Sequence, residues 1–302
     1  MSTSPNRRRG QPGQPTTYFV QDQHNREELA RQTIQDQFIT KGMGGVLPEQ
    51  PDAASLRRVL DVGCGPGGWL IETARAYPSI TQLVGVDVNS KMVEYAQAQA
   101  VAKHVETRVE FKVMDALKRM EFPDGHFDLV NQRLGWSFLR TWDWPNLLLE
   151  YRRITRGGGV IRLSEGDAVG TSNSPTLTRL LAIWLDAMYE AGHLFTQEKE
   201  GVTSQLERLL QKVGLQDVQT RSYLLEYRAG TPECKQFCEN MRLFLQTSLP
   251  FMRKWSRHVP ENYDQLYQQA LSEMQRPDFA ATWGMVTSWG INQELVLARD
   301  DR

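Results

Sequence analysis

The sequence predicts an α/β fold: a parallel sheet covered by helices on both faces, with further helices gathered into a cap. Three observations predict it. Apolar runs of strand length alternate with helical patterns from Val59 to Leu163, the order that builds parallel sheets. The stretch Val59 to Trp69 reads Val-Leu-Asp-Val-Gly-Cys-Gly-Pro-Gly-Gly-Trp, a strand, a glycine loop and the start of a helix. Beyond residue 165, amphipathic helical segments fill two insertions, 166–200 and 231–277, too long to be plain loops. The cap is expected at the C-terminal edge of the sheet, where open α/β sheets bind ligands.

Each element has its own signal. Residues 1–17 are rich in Ser, Pro, Gly, Gln and Arg and read as a disordered tail. Residues 18–50 form an N-terminal cap segment. Tyr18 to Thr40 is helical there, with Leu29, Ile34 and Phe38 among polar residues, and ends at Gly42, Gly44, Gly45 and Pro48. Residues 51–165 form the ligand-binding core. Val59–Val62 is the first strand and Trp69–Ala76 the first core helix. Leu83–Val88 is the second strand. Ser90 is a suitable N-cap for the next helix. Val109–Met114 and Phe127–Asn131 are the third and fourth strands, separated by a Phe-Pro-Asp-Gly turn. Trp144–Ile154 is a helix, which Gly157, Gly158 and Gly159 suit as a C-terminal stop. Val160–Leu163 is the fifth strand.

After the fifth strand, Leu177, Leu180, Leu181, Trp184 and Met188 recur at helical spacing in Thr176–Glu190. Residues 201–230 return to the core, with a helix at Leu206–Val213 and a strand at Val218–Tyr227. The insertion 231–277 holds helices at Cys234–Thr247 and Tyr263–Met274. Residues 278–302 carry a last strand, Thr282–Ile291, and a fraying end.

Composition bounds the function. The 302 residues carry a formal charge of −1, so there is no general attraction to nucleic acid or anionic membrane. No apolar run approaches the roughly 18 residues of a membrane span, and Arg7, Arg8 and Arg9 are not followed by the apolar segment of a secretory signal. Three cysteines, Cys64, Cys234 and Cys238, suit a reducing cytoplasm. No His or Cys pair completes a metal-ligand set, so no metal is expected.

The glycine loop is a small-ligand site. Glycine lacks a Cβ, so the backbone can take positive φ and come close to a bound molecule, and the following helix aims its free N–H groups there. Gly63, Gly65 and Gly68 also satisfy the dinucleotide pattern G-x-G-x-x-G. Asp61 argues against a dinucleotide, because a carboxylate beside a pyrophosphate is repulsive. S-adenosylmethionine (SAM) reverses the sign: loop amides can take its carboxylate while Asp61 faces its positive end. Further features fall at successive strand ends. Asp87 can accept from both ribose hydroxyls, and Asp115 from an adenine amino group, with the N–H of Ala116 reading a ring nitrogen. Asn131, Gln132 and Arg133 end the fourth strand.

These stretches, Val59–Trp69, Val84–Asn89, Phe111–Ala116, Phe122–Gln132 and Leu149–Glu165, resemble class I SAM-dependent methyltransferases. Phe-Pro-Asp-Gly-His-Phe-Asp-Leu-Val and Glu-Tyr-Arg-Arg-Ile-Thr-Arg-Gly-Gly-Gly are similar to the ubiquinone/menaquinone-methyltransferase-like branch of small-molecule enzymes. Gly157 stands where that branch usually has proline. The resemblance implies a Rossmann-like seven-stranded sheet of order 3-2-1-4-5-7-6, with the last strand antiparallel. It implies cofactor contacts at Asp61, Gly63, Cys64, Gly65, Gly67, Asp87, Val88, Met92, Met114, Asp115, Ala116 and Gln132. The implied activity is methyl transfer from SAM to O, N or C of a small planar or apolar metabolite, as in secondary metabolism, by a monomer or homodimer without nucleic-acid or membrane partners. A non-catalytic SAM-binding module, or an RNA or protein methyltransferase, is the alternative. Strand four does not end in Asn/Asp-Pro-Pro-Tyr, which argues against amino-methylation of nucleic-acid bases.

The acceptor side is less legible. Tyr18, Trp136 and Trp184 are candidates to line an apolar pocket. His193, His258 and Glu165 are candidates for a general base, and proximity alone can also carry methyl transfer.

Overall fold

A computed structural model describes residues 17–20, 26–167, 170–196 and 201–293. The proposed tail and the fraying C-terminus lie outside them, apart from Thr17. In chain order the elements are α1 (Arg26–Gly42), β1 (Arg58–Val62), α2 (Gly68–Ala76), β2 (Gln82–Asp87), α3 (Ser90–Ala102), β3 (Val109–Val113), β4 (Phe127–Arg133), α4 (Trp144–Ile154) and β5 (Thr155–Gly166). Then come β6 (Thr171–Ser172), α5 (Pro175–Glu190), α6 (Leu206–Lys212), β7 (Gln216–Arg228), α7 (Pro232–Thr247), α8 (Leu249–Trp255), α9 (Tyr263–Met274) and β8 (Ala280–Asn292).

The sheet runs β3-β2-β1-β4-β5-β8-β7, parallel through β5, with β8 antiparallel to both β5 and β7. This is the expected seven-strand order. The two-residue β6, absent from the sequence reading, makes eight by pairing with β8. Strand side chains alternate between two faces, and both faces are buried. Val59, Leu83, Phe111 and Leu129 face α2 and α3. Leu60, Val84, Val130, Ile161 and Leu163 belong to the larger core that continues into the additional helices.

Several boundaries differ from expectation, each for a local reason. Tyr18 and Phe19 are not helical, and α1 begins at Arg26. The N-cap of α3 is Asn89 and not Ser90: its side-chain oxygen accepts from Lys91 N at 2.9 Å. The three glycines do not stop α4. Thr155 is already extended, and β5 starts at once, carrying Gly157–Gly159 within it. An additional helix, α8, follows α7 with Pro250 in its first turn, a position that needs no N–H donor.

Helix α1 lies antiparallel along α7. Lys41 meets Glu233 at one end, and at the other Thr247 donates to Glu28 at 3.2 Å. Its buried face is unusual for a helix with so little apolar surface: Glu28 and Arg31 form a buried ion pair at 2.7 Å beside Phe38 and Ile39. Tyr18 donates to Glu28, and the Arg31 guanidinium sits 5.6 Å from the Phe19 ring. Helix α5 packs on α8 and α9, held by Glu273, which accepts from Ser174 Oγ at 2.6 Å and Thr176 Oγ1 at 2.7 Å.

Candidate cofactor and acceptor site

The glycine loop connects β1 to α2. Gly63, Gly65 and Gly67 have φ of 67°, 51° and 77°, values that disfavour any side chain. Space forbids one as well. A Cβ on Gly63 would lie 2.9 Å from the Phe138 ring, and on Gly65 2.6 Å from Gln32 Oε1. Phe138 comes from the turn after β4 and Gln32 from α1, so the loop is a cradle faced by two remote segments. Backbone bonds hold the loop: Cys64 N donates to Val86 O of β2 at 3.0 Å, and Gly67 N to Cys64 O at 3.0 Å. Burial pushes the Cys64 thiol well up, so it is a neutral packing group at pH 7.

Three polar side chains lie side by side across the central strands. Asp61 on β1 is in register with Asn131 on β4, and Asn131 with Arg162 on β5. Arg162 Nη1 donates to Asn131 Oδ1 at 2.7 Å, and Asn131 Nδ2 donates to Asp61 Oδ1 at 2.7 Å. Glu49, from the segment before β1, closes the row by accepting from Arg162 Nε at 2.6 Å. The row explains how a sheet interior tolerates these groups, since every member has a partner. Asp61 sits at its end, beneath the glycine loop. Burial raises its pKa to about 7, against the lowering effects of Asn131 and Arg162, and the nearby Asp87 adds to the rise.

Asp87, at the end of β2, accepts from Gly65 N at 2.9 Å and Asn89 N at 2.8 Å. It therefore ties the loop to β2, and burial raises its pKa. Val88 beside it is 47% exposed and Leu117 is 46% exposed. Asp115 caps its own turn, accepting from Leu117 N at 3.0 Å and meeting Lys118 at 3.3 Å. Met114 N donates to Asp87 O at 2.9 Å, which places the two strand ends together. Met92 is buried on α3. A glycine cradle, two acidic strand ends and half-exposed apolar side chains between them fit an adenosyl group with a cationic end.

Gln132 is placed differently from expectation. Its carboxamide is taken by Tyr151, which donates to Oε1 at 2.5 Å, and by Glu165, which accepts from Nε2 at 3.1 Å. Glu165 also accepts from Gly135 N at 2.8 Å and Trp136 N at 3.3 Å. It is fully buried, and burial raises its pKa to about 8. Its oxygens hold the turn that carries Trp136 and Phe138, which is a positioning role and not that of a free base.

The other candidates separate. His258 is 74% exposed and lies 3.9 Å from Asp186. His193 is buried, with Nδ1–H donating to Trp136 O at 2.9 Å, the only role open to it against a carbonyl. Burial lowers its pKa to about 4, so the imidazole is neutral at pH 7. Trp136 and Trp184 do come together, with ring centroids 5.1 Å apart, and Phe244 packs on Trp184 at 4.9 Å. Tyr18 is joined instead to Glu28 and Arg31, and accepts from Gln32 Nε2 at 3.1 Å. Through Gln32 it is linked to Gly65, on the cradle side.

Sequence reasoning missed Gln32, Asp36 and Phe138. Asp36 is ion-paired to Arg133, and a Cβ on Gly68 would collide with it. Burial and the like charge of Arg162 draw the Arg133 pKa down to about 9, so the guanidinium keeps its charge at pH 7. Nothing in the polar pattern of α1 marks which residues face the loop. Arg162 carried a signal: it is a charge inside the apolar run Val-Ile-Arg-Leu, which requires a buried partner. Among the described residues, no group of three or more His, Cys, Asp or Glu could hold a metal, and no helix is long and apolar enough to cross a membrane. The cysteines are free thiols, with Cys234 and Cys238 3.9 Å apart.

Residues 59–159 match the methyltransferase domain family. The chain is 26% identical, over 82% of its length and 75% of the relative's, to 27-O-demethylrifamycin SV methyltransferase of Amycolatopsis mediterranei. It is 42% identical over 83 residues to ajmaline N-methyltransferase of Rauvolfia serpentina, a match that spans 28% of the chain and 27% of that protein. The crystal structure of the YcgJ protein from Bacillus subtilis has the same fold, with a TM-score of 0.52 and 20% identity over 80% of this chain and 95% of that one. Over residues 59–159 the chain thus carries a methyltransferase-domain match, set on the strand order and the glycine cradle described above.

Proposed function

We propose that the protein transfers a methyl group from SAM to O, N or C of a small planar or apolar metabolite and releases S-adenosylhomocysteine. The observation that carries this reading is the pair of carboxylates at the glycine loop, the buried Asp61 and the half-buried Asp87, whose like charges act on each other. Two acidic groups there oppose a pyrophosphate and favour a cationic ligand. SAM, when bound, supplies a methyl group made electrophilic by a sulfonium. The chain's own residues do the rest. Asp61 faces the ammonium, Asp87 the ribose hydroxyls, and Asp115 with Ala116 N–H the adenine edge. The turn held by Glu165 and the aromatic cap hold an acceptor in line and exclude water, which can contribute several kcal/mol. If the acceptor needs a base, His193 is the neutral imidazole among the cap aromatics.

The relatives' names, a demethylrifamycin and an ajmaline methyltransferase, speak for a small-molecule acceptor. We read the protein as a cytoplasmic monomer or homodimer without nucleic-acid partners. The test of the activity is incubation with methyl-labelled SAM and metabolite extracts, followed by mass spectrometry. A labelled small product with stoichiometric S-adenosylhomocysteine supports the reading. Label entering only RNA or protein, or no turnover by a protein that binds SAM, refutes it.

The Asp61 role has its own test. A cofactor ammonium selects the ionised carboxylate, and the ionised fraction rises as pH passes through about 7. SAM affinity is therefore expected to rise roughly tenfold between about pH 6 and pH 8 from this group. Asp61→Asn should lower affinity and remove that part of the pH dependence, measured by calorimetry across the range. An Asp61→Asn protein with the wild-type pH profile would contradict the assignment.

A further inference from the structure

We propose that Asn240, with the indole N–H of Trp184 and the hydroxyl of Tyr227, reads the oxygen substituents of an aromatic acceptor bound within the cap. The proposal rests on the methyl-transfer reading above and names the acceptor's chemical class. Asn240 on α7 has no exposed surface, yet neither its carboxamide oxygen nor its nitrogen has a hydrogen-bond partner. Trp184 Nε1 and Tyr227 Oη are buried and unpartnered as well. Buried polar groups normally find partners, so an amide left without any is held at a cost to the fold. A leucine of similar volume would avoid that cost.

Two sets of aromatic contacts flank Asn240 along α7. Phe244, one helical turn after Asn240, packs on Trp184 at 4.9 Å. Phe237, nearly one turn before it, stacks on Tyr227 at 4.4 Å with an interplanar angle of 18°. Trp136, on the turn after β4, and Phe19 complete the surroundings of Trp184, at 5.1 and 6.1 Å. Aromatic surfaces favour a flat π-system. Among them stand an N–H donor, an amide that both donates and accepts, and a hydroxyl. This set complements an aryl frame bearing a hydroxyl or carbonyl oxygen, such as a phenol or a quinol. A site built to hydrogen-bond an oxygen rejects the analogue that lacks it, because its own groups are then left unpaired.

The test is calorimetric titration of the full-length protein, saturated with S-adenosylhomocysteine, with 2-naphthol and with 2-methylnaphthalene. These probes share a frame and differ in the oxygen. The wild type is expected to bind 2-naphthol at least about tenfold more tightly. Asn240→Leu should reduce that preference to under about twofold, with the S-adenosylhomocysteine affinity unchanged and the thermal stability of the probe-free protein equal or higher. Tyr227→Phe, which removes one oxygen atom, should reduce the preference in part, and it provides the same readout if Asn240→Leu does not fold. Equal binding of both probes by the wild type, no binding of 2-naphthol up to about 1 mM, or full preference retained in the folded variants would overturn the proposal. Failure of the wild type to bind S-adenosylhomocysteine would instead overturn the methyl-transfer reading beneath it.

Discussion

Replacement of Arg162 by Met is expected to destabilise the fold by about 3–5 kcal/mol, the scale of removing one partner from a buried ion pair. Arg162 is 1% exposed and lies under the Trp69 ring, 5.9 Å from its centroid. Its loss strands two groups at once. Glu49 keeps its pKa below the ordinary carboxylate value because hydrogen bonds and above all the Arg162 charge outweigh its burial. Asn131 Oδ1 loses its donor. The double variant Glu49→Leu/Arg162→Met should recover most of the loss, because an apolar pair of similar volume carries no desolvation cost. Urea denaturation of the wild type, both single variants and the double variant measures the coupling. A double variant no more stable than Arg162→Met would show that the ion pair is not the source of the effect.

The second large effect is expected at Asp87. Asp87→Ala should weaken S-adenosylhomocysteine binding by roughly 10–100-fold, or about 1.4–2.7 kcal/mol. The variant loses the proposed ribose acceptor and also frees Gly65 N and Asn89 N, which the carboxylate now holds at 2.9 and 2.8 Å. The cradle then loses its tie to β2. Asp87→Asn keeps one oxygen acceptor at the site and should fall between the wild type and Asp87→Ala. Calorimetry on protein shown by circular dichroism to be folded separates binding from stability. Unchanged affinity in folded Asp87→Ala would remove Asp87 from the cofactor site.

Both predictions show which parts of the molecule local sequence can specify. The sheet and its glycine loop were legible because their signals are local. Val59–Val62, Gly63–Gly67 and the acidic strand ends Asp87 and Asp115 each declare a strand, a turn or a strand terminus within a few residues. The α4 boundary was misread because glycine suits both a helix stop and an extended strand start. In Thr155–Gly159, pairing of β5 with β4 and β8 decides in favour of the strand.

The sequence alone determined the local ingredients of the strand order, the glycine cradle and the acidic residues around it. Only the tertiary structure decided the rest. Strand register brought Asp61, Asn131 and Arg162 into one row, although the first and last are 101 residues apart in the chain. Helix packing chose Gln32 and Asp36 from the polar surface of α1 to face the loop. Pairing of β4 with β5 set Gln132 and Glu165 beside each other to hold a turn. Helix packing enclosed Asn240 without a partner. These placements depend on which distant surfaces meet, and burial, register and partner count act only once the chain has closed.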